Sequence, residues 1–248
     1  MPWYKEIFAL PELLVGPVLV FGFHEVCIDP IYFDVWRHMS LGRKLLRARM
    51  FLRERKAVKA GRAHPDLQIP QDYRVASFSE LLHNYGMKNI QVLDLFDARA
   101  NLRYDMNLPV PSKELGRYGT VIDIGSLEHV FDTRQCLENC LRMVRVGGVY
   151  ILHTAVKGYY LHGLHTFSPE ALLQVFTLNG FELVYHRYST DGGAPLEDPT
   201  KGENVLIWLV GRKIADISVF KCPQQRGWKE LYARDSSEPH DVAPDCDR

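Results

Sequence analysis

The 248-residue chain has no apolar run long enough to cross a bilayer. Its longest, Leu13 to Phe23, is interrupted by Gly16, Pro17 and Gly22, whereas a spanning helix needs about twenty apolar residues. The opening residues, Met1 to Glu6, show neither the basic start nor the cleavage site of a signal peptide. Cysteine is scarce. There are five, at 27, 136, 140, 222 and 246, with no CxxC pair. That odd and scattered set excludes a disulfide framework and predicts a reduced, soluble, cytoplasmic chain. Charge of either sign is not in excess: thirty Lys and Arg stand against thirty Asp and Glu. A nucleic-acid binder of uniformly high pI is thereby excluded, and nucleic acid is not an expected partner. No internal repeat is visible. Apolar residues at 46% and charged residues at 24% are globular values.

What charge there is, is segregated. Residues 37–62 hold ten Lys or Arg and a single acid, Glu54. Leu41, Leu45, Ala48 and Leu52 recur at helical spacing, so the segment predicts an amphipathic helix with a basic face. Such a face is either solvated or a docking surface for an anionic ligand or partner. The tail, Asp235 to Arg248, has five acids and two prolines, which predicts disorder. One α/β domain over residues 1–234, with the basic helix as an insertion, is the expected organisation.

Elsewhere strand-like and helix-like segments alternate. Pro17–Gly22, Ile90–Leu95, Gly119–Gly125, Val149–His153, Phe181–Arg187 and Asn204–Val210 read as strands. Phe78–Tyr85, Asp132–Val144 and the stretch from Pro169 to Asn179 read as helices. Ser77 with Glu80 makes a capping box. Ser168 before Pro169 marks a helix start, and Asn179-Gly180 a stop. The order predicts a doubly wound, mostly parallel sheet with helices on both faces. Ligands of such sheets sit at the carboxyl ends of the strands. There the sequence places Gly22, Asp94, Gly125-Ser126-Leu127-Glu128-His129 and His153-Thr154.

The stretch VIDIGSLEHVFDTRQCLENCLRMVRVGGVYILHTAVKGYYLHGLHTFSPEALLQVFTLNGFELV, residues 121–184, resembles the class I S-adenosylmethionine-dependent methyltransferases of small-molecule type. It has a strand, an LEH turn, a helix ending in R-x-V-x-x-G-G, a further strand, and then the histidines and the G-F that follow. The resemblance implies a Rossmann-like fold, S-adenosylmethionine as cofactor, and methyl transfer to a small-molecule acceptor. Carried over residue by residue, it puts Gly22 at the start of the cofactor loop and Asp94 on the ribose hydroxyls. Asp105 and Met106 fall beside adenine, and Ser126 beside the methionine part. One departure is plain. The family's loop carries several glycines, which let the backbone approach the cofactor closely. Here Phe23-His24-Glu25 follows the single Gly22. A chain of this fold that has lost the cofactor and works as an interaction module through residues 37–62 is therefore the rival expectation.

His129 and His165 are the candidate catalytic bases, since imidazole titrates near neutral pH. His153 and His162 are further candidates. His162 and His165, three apart, invite a metal reading with Glu128 as a third ligand. With no Cys or Asp cluster beside them, no metal is assigned.

Overall fold

The computed structural model describes residues 13–27, 75–84, 86–190 and 194–225. The basic segment 37–62 and the tail 235–248 lie outside the described residues. The main sheet contains β1 (Val18–Phe21), β4 (Ile90–Leu93), β5 (Tyr118–Ile124), β6 (Val144–Lys157), β7 (Phe181–Ser189), β8 (Pro195–Leu196) and β9 (Val205–Lys213). A separate two-stranded ribbon pairs β2 (Glu25–Cys27) with β3 (Val75–Ser77). The helices are α1 (Phe78–Asn84), α2 (Thr133–Met143) and α3 (Pro169–Leu178).

Strand order in the main sheet is β4-β1-β5-β6-β9-β7-β8. β4, β1, β5 and β6 are mutually parallel, and β9 runs antiparallel between β6 and β7. Side chains alternate between the two faces of a strand, and here both faces are covered. Val18, Val20, Ile122 and Ile151 pack with Phe78 and Leu82 of α1. Leu19, Phe21, Val121 and Leu152 pack with Cys136 and Leu137 of α2 and with Val175 and Phe176 of α3. Burial on both faces is why β1 reads as an unbroken apolar run and why β5 shows no alternation of apolar and polar residues. The fold is Rossmann-like.

Local signals act where the sequence places them. Asp132 caps α2, its carboxylate accepting the Gln135 N–H at 2.9 Å. Ser168 stands at the N-cap of α3 with Pro169 behind it, but its hydroxyl makes no capping bond. Cys136 and Cys140, one helical turn apart, are free, buried thiols. Their mutual hydrogen bond, together with burial, pushes the Cys136 pKa up. β6 is longer than the Val149–His153 expected. Gly147-Gly148 does not separate helix from strand, because Val144 already pairs with Tyr118 and the strand resumes after an irregularity in register.

A buried carboxylate anchors the entrance to β5. Glu114 accepts hydrogen bonds from Tyr118 (2.6 Å), Tyr104 (3.2 Å) and Arg117 (2.9 Å). Burial works to raise its pKa, but the bonds from Tyr118 and Arg117 outweigh it and hold the group below the ordinary value. Removing the Tyr118 hydroxyl leaves that buried charge short of its closest donor. Tyr118→Phe is expected to cost ~2 kcal/mol in urea unfolding, more than Tyr104→Phe, whose bond is longer and only part-buried. Equal costs for the two variants would contradict this ranking.

Candidate functional site

β1 lies between β4 and β5, and from it the sheet extends in both directions. Such a switch point opens a crevice at the carboxyl ends of the strands. A cavity of about 360 Å³ lies there, within the roughly 300–1,000 Å³ of small-molecule sites. Its walls come from the residues after β1 (Phe21 to His24), after β4 (Asp94 to Phe96), from Tyr104 to Asn107, and from Gly125, Ser126, His129 and Val130. Gly22, Asp94, Asp105, Met106, Ser126 and His129 are thus brought to one cavity. His165 is not among its lining residues. Its Nε2 lies 3.0 Å from the Phe131 carbonyl oxygen.

Gly22 has φ +86, and a Cβ there would stand 2.5 Å from Ser126 Oγ and 2.9 Å from His24 Nε2. Only glycine meets both conditions without strain. Ser126 Oγ and His24 Nε2 each donate to the Phe21 carbonyl at 2.9 Å, so two side chains converge on the glycine. Burial lowers the His24 pKa. The bond to Phe21 and the charges of Asp94 and Glu128 act the other way.

Asp94 is bound from three sides. Oδ1 accepts the N–H groups of Phe96 (2.9 Å) and Asp97 (3.0 Å), and Oδ2 accepts that of Phe23 (3.0 Å). Burial pulls its pKa up, but these three donors prevail and hold it below the ordinary carboxylate value. A carboxylate offers about four acceptor positions, so Oδ2 retains one. Asp105 holds its own turn, accepting from the backbone and side-chain amides of Asn107 at 2.9 and 2.7 Å. Met106 is buried in the core beneath. The Phe23 ring carries the Arg99 guanidinium 3.9 Å from its centroid, and Arg99 also pairs with Asp97 at 2.7 Å. Phe96, 88% exposed, forms an apolar rim.

The other wall rests on Asp123, inside β5. Its Oδ1 accepts the N–H groups of Ser126 (2.9 Å) and Leu127 (3.3 Å), and Oδ2 accepts the Tyr150 hydroxyl (3.2 Å). Burial first, then the charge of Glu128, push its pKa up to about 8. His153 stacks on Trp208 with centroids 4.1 Å apart, and burial drives its pKa down to about 3. It is neutral core, not a base at the cavity. The candidate residues chosen from sequence omit His24, two positions beyond Gly22, and the pairing of His129 with His162, whose rings meet edge-on at 5.3 Å. The spacing of His24 from Gly22 is visible in the chain. The histidine pair joins positions 33 residues apart and has no local signal.

No family model matches the chain, and no curated protein does. Solved structures do. A Bacillus halodurans protein named as a methyltransferase is 14% identical with a TM-score of 0.42, covering 56% of this chain and 87% of that one. An S-adenosylmethionine-dependent methyltransferase from Mesorhizobium loti is 14% identical at 0.40, covering 55% and 85%. A Methanosarcina mazei protein of the same description is 13% identical at 0.37, covering 51% and 82%. Among the described residues, no helix is long and apolar enough to cross a membrane.

Proposed function

We propose that the cavity at the ends of β1, β4 and β5 binds S-adenosylmethionine and that the chain transfers its methyl group to a small-molecule acceptor. The observation that carries this reading is Asp94, at the carboxyl end of the strand next to β1, with one acceptor position on Oδ2 left for a ribose hydroxyl. Gly22 and Ser126 border the same space. Bound there, the sulfonium supplies an already electrophilic methyl carbon. The chain's part is to align the acceptor and receive its proton. His129, exposed at the cavity wall, is the group placed to take that proton.

Titration calorimetry with S-adenosylmethionine and S-adenosylhomocysteine tests the reading. Micromolar binding is expected, weakened at least tenfold, or about 1.4 kcal/mol, in Asp94→Ala. Asp94→Asn can keep one oxygen for Phe96 and Asp97 but gives up the Phe23 bond at Oδ2. It too should lose binding, and thermal unfolding of both variants separates loss of the ligand contact from loss of the fold. Unchanged affinity in both variants would remove Asp94 from the ribose. His24, packed against Gly22 where a glycine-rich loop would leave room, favours the rival reading of an interaction module. A folded sample that binds neither compound at millimolar concentration would move the reading there. Residues 37–62 would then be tested for partner binding that weakens with salt.

A further inference from the structure

We propose that Glu128, His129 and His162 form a binding site for a divalent transition metal ion of the zinc type at the rim of the cavity. One ligand atom from each residue can be chosen so that all lie within 4.8 Å of one another. The set differs from the one that spacing suggests. His165 faces the Phe131 carbonyl, and His129 takes its place.

Glu128 supplies the fixed point. It is 2% exposed, and among the described residues only the Thr154 hydroxyl donates to its carboxylate, at Oε2, 2.8 Å away. Oε1 accepts no hydrogen bond from the described residues, so its acceptor positions are left for solvent or a cation. Oε1 points toward Gly125, where a Cβ would lie 3.3 Å from it, and Gly125 lines the cavity. The loop that carries His162 is fastened to the same residue. Leu164 and His165 both donate their N–H groups to the Glu128 carbonyl, at 2.8 and 3.2 Å. Gly163 makes this approach possible, since a Cβ there would stand 3.0 Å from that oxygen. The backbone therefore holds His162 beside His129, which follows Glu128 directly in the chain.

Two imidazoles and one carboxylate make a donor set for zinc or ferrous iron that leaves coordination positions open. Ligand bonds of about 2.1 Å need donor atoms roughly 3.3 Å apart. Both histidines are exposed, so side-chain rotation is the adjustment that binding an ion would require of them. Because His129 lines the cavity, an open position on the ion would face it and take an oxygen of a bound ligand. That last step, an acceptor oxygen held by the ion, rests on the proposed function and replaces one part of it: with the ion bound, His129 is a ligand, and the ion rather than a free imidazole eases loss of the acceptor's proton. Binding of the ion does not rest on that function.

The test is calorimetric titration of metal-free full-length protein with Zn²⁺ alone, no cofactor present, repeated with Co²⁺ for its visible absorption. One ion per chain at micromolar or tighter affinity is expected, with cobalt bands of an imidazole-containing site. His129→Ala and His162→Ala should each weaken binding at least tenfold, while His165→Ala changes it less than twofold. Glu128→Gln keeps the Thr154 bond and should also weaken it. No binding by millimolar Zn²⁺, or equal losses in all three histidine variants, would overturn the site. A chain that binds zinc but not S-adenosylmethionine would uphold this inference and sink the proposed function.

Discussion

Gly22→Ala is expected to lower the melting temperature by roughly 6–12 °C and to abolish ligand binding in the cavity. Two costs combine. A side chain at φ +86 pays about 1–2 kcal/mol for the left-handed backbone. The added methyl also meets Ser126 Oγ and His24 Nε2, both tied to the Phe21 carbonyl, so one of those bonds must give way. Together these come to ~3 kcal/mol, and a chain of this size shifts by about 2–4 °C per kcal/mol. Gly86 provides the comparison. Its φ is +85, yet a Cβ there would meet nothing within 4 Å. Gly86→Ala should therefore pay only the backbone cost, ~1 kcal/mol. Thermal unfolding of the two variants side by side isolates the crowding at Gly22, and matching melting temperatures would disprove it.

Asp123→Asn should change the pH dependence of stability more than any other single substitution at the site. The folded chain holds the Asp123 proton until about pH 8, whereas an unfolded aspartate releases it near the ordinary value of 3.8. Between pH 4 and pH 8 the native state binds more protons than the unfolded state, so wild-type stability falls as pH rises through this window and levels off above it. Asparagine cannot ionise. Its Oδ1 can still accept from Ser126 and Leu127, and its amide can donate to the Tyr150 oxygen. The variant should be close to wild type near pH 4 and more stable by ~2 kcal/mol or more at pH 8. Urea unfolding at several pH values reads this directly. Parallel curves for the two proteins would mean that Asp123 is ionised in the native state.

Much of the sheet is legible in the chain because its strands are buried on both faces. Val18 to Phe21 stands out as an apolar run and Tyr118 to Ile124 as a mostly apolar one interrupted by Thr120 and Asp123, and the glycines after them mark the carboxyl ends where the cavity forms. Direction is not legible. Val205–Lys213 has the same apolar character whether parallel or antiparallel, and only the pairing reveals that it runs backward between β6 and β7. The length of β6 was hidden for a related reason. Gly147-Gly148 is a helix-stop signal locally, while cross-strand pairing at Val144 decides the outcome. At the site, strand-end position was enough to bring Gly22, Asp94, Ser126 and His129 to one cavity. Whether a side chain there is free or already engaged was not, because Asp105 spends its oxygen on Asn107 and His165 turns to Phe131 through contacts the spacing does not carry.

The reversed course of β9 bears on how the protein can be instrumented. Because β9 runs against its neighbours, the chain leaves the sheet after Lys213 at the end remote from the cavity. There Arg142 binds the Ile217 carbonyl and Asn179 the Lys221 carbonyl, stitching residues 217–221 to α2 and α3. Ile214, 60% exposed, and Phe96 on the cavity rim therefore lie beyond opposite ends of the sheet's strands. With Cys27, Cys222 and Cys246 replaced, a dye on a cysteine at position 96 would register occupancy. The same dye on a cysteine at 214, in a second variant, would stay silent and serve as the matched reference.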